Sequence, residues 1–109
     1  MTDRHVQPEN EVSLSGRIAG TLSTRTSPAG IPITRFPLEH ESKQTEAGVV
    51  RKVRCRITVV ASGKALQPQV QKLDEGMQVR IQGFLSYESS RQTESRLVLH
   101  IQNIDVIEY

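Results

Sequence analysis

Strict alternation of apolar and polar side chains from Lys52 to Val59 is the feature that most limits how this chain can fold. A period of two residues is that of a β-strand, because successive side chains of a strand point to opposite faces. One face carries Val53, Cys55, Ile57 and Val59, and the other carries Lys52, Arg54, Arg56 and Thr58. The segment therefore predicts a half-buried strand, with Cys55 as a buried thiol and a row of cations on the solvent face.

The row of cations has two interpretations that this strand alone leaves open. Cations two strand residues apart are separated by roughly 7 Å, which is similar to the spacing of phosphates along a nucleic acid. The like charges in such a row repel one another and contribute little to the stability of the fold. A polyanion lying across the sheet would neutralise them. In the alternative interpretation, the strand lies at the edge of a sheet, where positive side chains prevent aggregation.

Composition excludes several classes of protein and leaves a small single domain. A length of 109 residues is enough for one compact core. The net charge of +2 permits a polyanionic partner without requiring one. Cys55 is the only cysteine, so an intrachain disulfide is impossible and a reducing cytoplasm fits. The chain has no apolar run long enough to span a membrane, and its polar start lacks the apolar core of a signal peptide.

The pattern along the chain predicts a flexible N-terminal arm over residues 1–10 and one domain over residues 11–109. Strand patterns cover 11–26, Ile31–His40, the basic segment 51–59, Gln78–Tyr87 and Arg96–Ile107. Within the first and fourth of these, Gly16, Gly20 and Gly83 indicate bends.

Three local features complete this description. The apolar positions of Ile31–His40 change phase, which predicts a bulge near Thr34–Arg35. The segment Glu41–Gly48 is polar throughout and predicts a loop. Between Ser62 and Gly76 the spacing of apolar residues is helical, but Pro68 limits any helix to one or two turns.

The order of these elements predicts an all-β fold. Three strands, at most a short helix, and then two more strands form the sequence of a five-stranded Greek-key barrel of the OB type. The glycine bends in a long first strand also fit this architecture. An SH3-like barrel is the nearest alternative, but the loops and strand lengths fit it less well.

The sequence offers no constellation of residues for catalysis. His5, His40 and His100 have no cysteine or second histidine at metal-ligand spacing. Adjacent strand residues point to opposite faces, so Glu39, His40 and Glu41 do not converge on one substrate atom. We therefore predict that the chain is not an enzyme and has no cofactor and no metal.

Basic residues gather where an OB barrel binds oligonucleotides, which is the face of strands two and three with the neighbouring loops. This agreement favours nucleic-acid binding over the alternative interpretation, in which the cations only prevent aggregation at the edge of a sheet. Aromatic residues are few, and Tyr87 at the base of the last loop is the best candidate for base stacking. The predicted nucleic-acid-binding residues are Arg17, Arg25, Lys52, Arg54, Arg56, Tyr87, Arg91 and Arg96.

Several short motifs occur in an order that resembles one bacterial family. They are Leu14-Ser15-Gly16, Ser27-Pro28-Ala29-Gly30-Ile31-Pro32, Phe36-Pro37-Leu38-Glu39-His40-Glu41-Ser42, Glu46-Ala47-Gly48, Gly83-Phe84-Leu85 and the run from Leu97 to Ile104. This succession resembles the family of primosomal replication protein N (PriB) and extends from about Val12 to Ile107. The resemblance implies a homodimer with an OB fold that binds single-stranded DNA.

The resemblance also implies a role in the restart of stalled replication forks, in the cytoplasm and at the nucleoid. Members of this family stabilise the helicase PriA on DNA, stimulate its unwinding and help to recruit DnaT so that the replicative helicase is reloaded. Two alternatives remain, which are a general single-stranded DNA-binding protein and an OB module that binds an acidic protein surface.

The chain departs from the family at positions that matter for binding. Better-known members use a tryptophan on the third strand, where this chain has Arg54, and basic residues that correspond to Arg25, Arg91 and Arg96. A frequent phenylalanine is replaced by Val49, and a loop lysine by Ser89. Each lost stack on a base forgoes about 1–3 kcal/mol. Because arginine pairs with phosphates instead, these departures predict binding that tolerates any base sequence and is unusually sensitive to salt.

Overall fold

Nearly all regular structure in this computed structural model is β-strand, and the structure describes residues 6–88 and 96–108. The strands are β1 (Val12–Ile18), β2 (Ser23–Thr26), β3 (Pro32–Glu46), β4 (Val49–Ser62), β5 (Gln78–Glu88) and β6 (Arg96–Glu108). Between β4 and β5 lie a 3-10 turn (Lys64–Leu66) and one helix, α1 (Gln67–Val70). The prediction of at most two helical turns is confirmed, and Pro68 lies in the first turn of α1, where its missing N–H costs nothing.

The strands form one sheet that closes on itself. Its order is β1-β5-β6-β4-β3-β2, and an additional pairing of β1 with β3 completes the barrel. Closure occurs where Arg17 pairs with Glu39, and β4 pairs with β6 in parallel from Thr58 to Val60. The predicted first strand is broken into β1 and β2, which both pair with β3. With β1 and β2 counted as one interrupted strand, the predicted five-stranded Greek-key barrel is confirmed.

Aliphatic side chains from every long strand fill the barrel. The largest buried side chain, Phe36, is 1% exposed. The segment that follows β4 closes one end of the barrel with three further apolar side chains. The core residues are Ile18, Phe36, Leu38, Val59, Ala61, Val70, Leu73, Met77, Val79, Ile81, Leu99, Ile101 and Ile104. Burying each of the larger ones stabilises the fold by about 1.5–3 kcal/mol.

Two of the three glycines at which the sequence predicted bends allow strands to approach closely. A Cβ atom on Gly16 would lie 2.3 Å from the carbonyl oxygen of Glu39, at the point where β1 meets β3. A Cβ atom on Gly83 would lie 1.7 Å from the carbonyl oxygen of His100. The register of β5 and β6 shifts between Gln82 and Gly83, so this second glycine lies at a β-bulge.

A long hairpin of β3 and β4 extends past the barrel. The two strands pair without interruption from Ile33 with Ser62 to Glu46 with Val49. The turn consists of Ala47 and Gly48, whose φ angles of 53° and 78° are both positive, as a type I′ turn requires. We call the part beyond the barrel, residues 39–46 and 49–56, the ribbon. The predicted loop over Glu41–Gly48 is wrong, because most of this segment is paired strand.

The predicted bulge near Thr34–Arg35 is also wrong. Pairing with β4 is continuous there, and Thr34 occupies an inward position despite its polarity. Its hydroxyl lies 2.7 Å from the hydroxyl oxygen of Thr24 and accepts a hydrogen bond of 3.3 Å from the side-chain amide of Gln67. A buried polar group is tolerated when it is hydrogen-bonded in this way. The change of apolar phase reflects this inward threonine, and the backbone remains regular.

Cys55 is exposed, so the prediction of a buried thiol is wrong. Its position does have the parity of the inward face, together with Ile57 and Val59. Ile57 is partly buried against the core, whereas Cys55 lies farther out on the ribbon. Alternation predicted the face correctly, but the strand continues beyond the core that would cover that face.

The predicted N-terminal arm lies partly outside the described residues, which begin at residue 6. Asn10 is attached to β5 through both ends of its amide. Its Nδ2 donates to the carbonyl oxygen of Leu85 at 2.8 Å, and its Oδ1 accepts from the amide of Leu85 at 2.9 Å. The division into an arm over 1–10 and a domain from residue 11 stays a prediction.

An ion pair connects β3 with the end of β5. The guanidinium of Arg35 donates to both carboxylate oxygens of Glu88, with Nε at 3.3 Å from Oε1. The hydrogen bonds from Arg35 lower the pKa of Glu88, and the charges of Arg35, His100 and Arg96 act in the same direction. Partial burial opposes these effects without cancelling them. Glu88 is therefore more acidic in the folded chain than in the unfolded one.

This lowered pKa predicts a pH-dependent contribution to stability. A carboxyl group of this kind stabilises the fold above its unfolded pKa and loses that contribution as the pH falls through its folded pKa. At pH 7, we expect Glu88→Gln to lower the free energy of unfolding by about 0.5–1 kcal/mol, because the pair is partly exposed. Below pH ~4 the difference should shrink. Urea unfolding across this range measures it, with Glu11→Gln as the control for loss of one charge. If Glu88→Gln lowers the free energy of unfolding by the same amount at every pH, the ionised Glu88 carboxylate is not the source of the stabilisation.

Candidate nucleic-acid interface

The predicted cations lie mostly on one face of the sheet. Residues that pair directly across antiparallel strands share a face, and the odd-numbered residues of β3 point away from the core. Arg25 pairs with Ile33, Arg17 and Arg56 pair with Glu39, and Arg54 pairs with Glu41. We call this surface the basic face. Its charged members on β1 to β4 are Arg17, Arg25, Arg35, Glu39, Glu41, Lys43, Lys52, Arg54 and Arg56.

The basic face is long and narrow. It runs along β3 from the pair of Ile33 with Arg25 to the pair of Lys43 with Lys52. Ten residues of strand span roughly 33 Å, with a charged side chain at most of the alternate positions. An extended polyanion therefore fits its shape better than a compact ligand does.

Carboxylates on β3 pair with the cations of β4, which the sequence prediction had missed. Glu39 lies 3.0 Å from Nη2 of Arg17 and 3.1 Å from Nη1 of Arg56. Glu41 lies 3.5 Å from Nζ of Lys52 and 3.4 Å from Nε of Arg54. The view that the row of cations only repels itself is therefore wrong, because these cross-strand pairs offset the repulsion.

Cations nevertheless exceed carboxylates on the ribbon. Lys43 stands directly opposite Lys52, and like charges in this arrangement destabilise a pair of strands. The side chains of Lys52, Arg54 and Arg56 are 66%, 73% and 59% exposed, so solvent and ligands reach them. Ion pairs at such exposure contribute about 0–1 kcal/mol each. The pairs therefore hold the cations weakly and leave them available to a phosphate.

The last strand brings another predicted cation to the same side. Arg96 is the first residue of β6, two residues before Val98, which pairs with Thr58 of β4. Arg56 lies two residues before Thr58, so Arg56 and Arg96 have equivalent positions on the two strands. Arg35 also belongs to this side, but its guanidinium is engaged by Glu88. Arg91 lies outside the described residues.

Tyr87 lies on the opposite face of the sheet from the predicted cations. It pairs with Leu97 near the end of β5, and its side chain is 72% exposed. Its neighbour Glu88 reaches Arg35 on the basic side, so Tyr87 points to the other face of the sheet. Stacking of a base on Tyr87 stays a prediction. The structure does not place Tyr87 and the arginines on one surface.

An aromatic pair that the prediction left out lies on the outward face of β5 and β6. The rings of Phe84 and His100 stack with centroids 5.0 Å apart and an interplanar angle of 13°. Both side chains are half-buried. Their contact depends on the register that places Phe84 opposite His100, and no local sequence pattern carries that information.

Within the described part of the chain, no group of side chains resembles a metal centre and no helix resembles a transmembrane one. No three His, Cys, Asp or Glu side chains in residues 6–88 and 96–108 lie close enough to hold a metal ion. His40 instead connects strands, with Nδ1 at 2.6 Å from the carbonyl oxygen of Ser15 and Nε2 at 2.7 Å from Oγ of Ser42. Over the same residues, no helix is long and apolar enough to cross a membrane.

Solved structures with this barrel include several single-strand binding proteins. PriB from Ralstonia solanacearum superimposes with a TM-score of 0.76 at 24% identity, covering 93% of this chain and 100% of that one. The Plasmodium falciparum SSB in complex with ssDNA gives a TM-score of 0.74 at 16% identity, covering 96% and 98% of the two chains. At these identities the likeness establishes the OB fold.

Comparison with known sequences identifies the family of the chain as well as its fold. Residues 10–103 match the family described as "Another single-strand binding protein family". The replication restart protein PriB of Photobacterium profundum is 45% identical over 98 residues, covering 90% of this chain and 94% of that protein. The protein of the same name from Proteus mirabilis is 40% identical over 99 residues, covering 91% and 94%. The family consists of binding proteins, so the chain is not an enzyme. The chain belongs to the replication restart protein PriB family of single-strand binding proteins.

Proposed function

We propose that this protein binds single-stranded DNA through the basic face during replication restart. The observation that carries the proposal is the excess of exposed cations along β3 and β4, where Lys52, Arg54 and Arg56 follow one another at alternate positions. The names of its relatives, replication restart protein PriB, give the biological setting. Phosphate contacts of this kind position a strand without reading its bases, so the binding tolerates any sequence.

Arg54 has a particular role in this proposal. It lies on β4, at the position where the family resemblance implies a tryptophan, and its side chain is 73% exposed. A guanidinium pairs with phosphate and also lies flat on a base, so it replaces part of the lost stacking. Its main contribution is electrostatic, because each neutralised phosphate releases condensed counterions.

A change of Arg54 to Ala tests the site directly. For single strands, the slope of log K against log salt is about −0.7 per neutralised phosphate, so Arg54→Ala should flatten it by about 0.7. Titration of fluorescent oligo(dT) at several NaCl concentrations measures the slope. Lys72→Ala, an exposed cation outside the strands, is the matched control and should leave the slope unchanged. An unchanged slope for Arg54→Ala would remove this residue from the interface. No binding of the unaltered protein at low salt would favour a protein-interaction module instead.

We propose further that this protein acts as a homodimer in the cytoplasm, at the nucleoid, with PriA and DnaT as partners. The support is its membership of the PriB family, and these partners stay predictions. Bound on single-stranded DNA near a fork, the protein would stabilise PriA there and aid DnaT in reloading the replicative helicase.

A helicase assay distinguishes this accessory role from general single-strand binding. We expect the protein to increase the fraction of a forked substrate that PriA from the same organism unwinds, since it holds the helicase on DNA. Arg54→Ala should reduce the stimulation, and Lys72→Ala should preserve it. If the protein binds oligo(dT) and leaves PriA activity unchanged, the restart assignment is wrong and a general single-stranded DNA-binding protein remains.

A further inference from the structure

The two glutamates of the basic face contact the same cations that DNA phosphates would contact under the proposed function. Each of the two carboxylates lies between two cations: Glu39 contacts Arg17 and Arg56, and Glu41 contacts Lys52 and Arg54. The charged groups are 3.0–3.5 Å apart, which is within the range of ion pairs that a phosphate oxygen would also form with these cations. A phosphate would therefore compete with a carboxylate for each of these cations.

From this geometry we propose that Glu39 and Glu41 are internal competitors of DNA that set the affinity of the basic face. The inference rests on the proposed function, since it assumes that DNA binds there. The glutamates weaken binding, and they also favour a continuous strand over single anions. A lone phosphate displaces one carboxylate and gains little, whereas a strand engages several cations together and releases several counterions.

The exposure of the pairs makes this exchange feasible. Glu41 is 52% exposed and its partners more so, which means that water screens the contact. Neither glutamate is needed to fill the core, because both point outward from β3. The alternative role for these residues is positioning, in which the carboxylates hold the arginines in the geometry that DNA requires.

Glu→Gln changes separate competition from positioning. Competition predicts that Glu41→Gln and Glu39→Gln each tighten oligo(dT) binding about threefold, the effect of one unit charge some 7 Å from a phosphate in water. The salt slope should also steepen, since the face then neutralises more phosphate charge. Glu11→Gln makes the same change in net charge about 20 Å away along β1 from Arg17 and should change affinity less.

The opposite change provides a second test that does not depend on removing a pair. Lys43→Glu places a third carboxylate on the face, opposite Lys52. We expect binding to weaken by roughly tenfold, because the local charge changes by two units. Thermal stability should be maintained or raised, because a repulsive pair becomes an attractive one. Lys72→Glu, at an exposed site outside the strands, is the control for net charge.

The full chain is used throughout, with fluorescein-labelled oligo(dT) between about 50 and 200 mM NaCl and circular dichroism to verify folding. Tighter binding by the two glutamine variants than by Glu11→Gln, together with weaker binding by Lys43→Glu, supports competition. Unchanged or weaker binding by the glutamine variants, with the unaltered protein binding normally, overturns the inference and leaves the proposed function intact. If neither the unaltered protein nor any variant binds at the lowest salt, both the function and the inference fail.

Discussion

The pairing of β3 with β4 is the constraint on which the rest of the structure depends. Fourteen consecutive residue pairs connect the two strands, and the two-residue turn at Ala47 and Gly48 sets their register. Inside the barrel this register directs Phe36 and Leu38 into the core, so a slip by one residue would expose them. Outside the barrel, the same register alone determines which charges face one another. Packing of the core and arrangement of the charged face are therefore specified by a single hairpin.

The charged surface follows from that register. It sets Glu39 beside Arg56 and Glu41 beside Arg54, and closure of the barrel at Gly16 adds Arg17 to the first pair. Two-stranded ribbons are marginal on their own, so these cross-strand contacts contribute to keeping the ribbon extended. The surface is thus partly neutralised from within and still carries more cations than carboxylates. This combination suits a ligand that binds through many weak phosphate contacts and is released readily.

The sequence was sufficient for the barrel and for the face on which most cations lie, because alternation with period two survives wherever one side of a strand is buried. It was insufficient where the core ends. Along Glu41–Gly48 both faces are exposed, so no alternation remains and paired strand resembles a loop. Cys55 lies on the face of β4 that is buried inside the barrel, but the core does not extend far enough to cover it. The pairing of Glu41 with Arg54 was missed, because the prediction of a loop over Glu41–Gly48 left no strand opposite Arg54.

The central claim is that single-stranded DNA lies along the basic face of β3 and β4. The most direct measurement is an NMR titration of the isotopically labelled protein with oligo(dT), following backbone amide shifts. The account predicts that the largest shifts occur at ribbon residues Glu39–Lys43 and Lys52–Arg56, with further shifts at Arg25 and Arg96 and little change in α1. Shifts concentrated in α1 or along residues 12–15 of β1, with the ribbon unaffected, would contradict it.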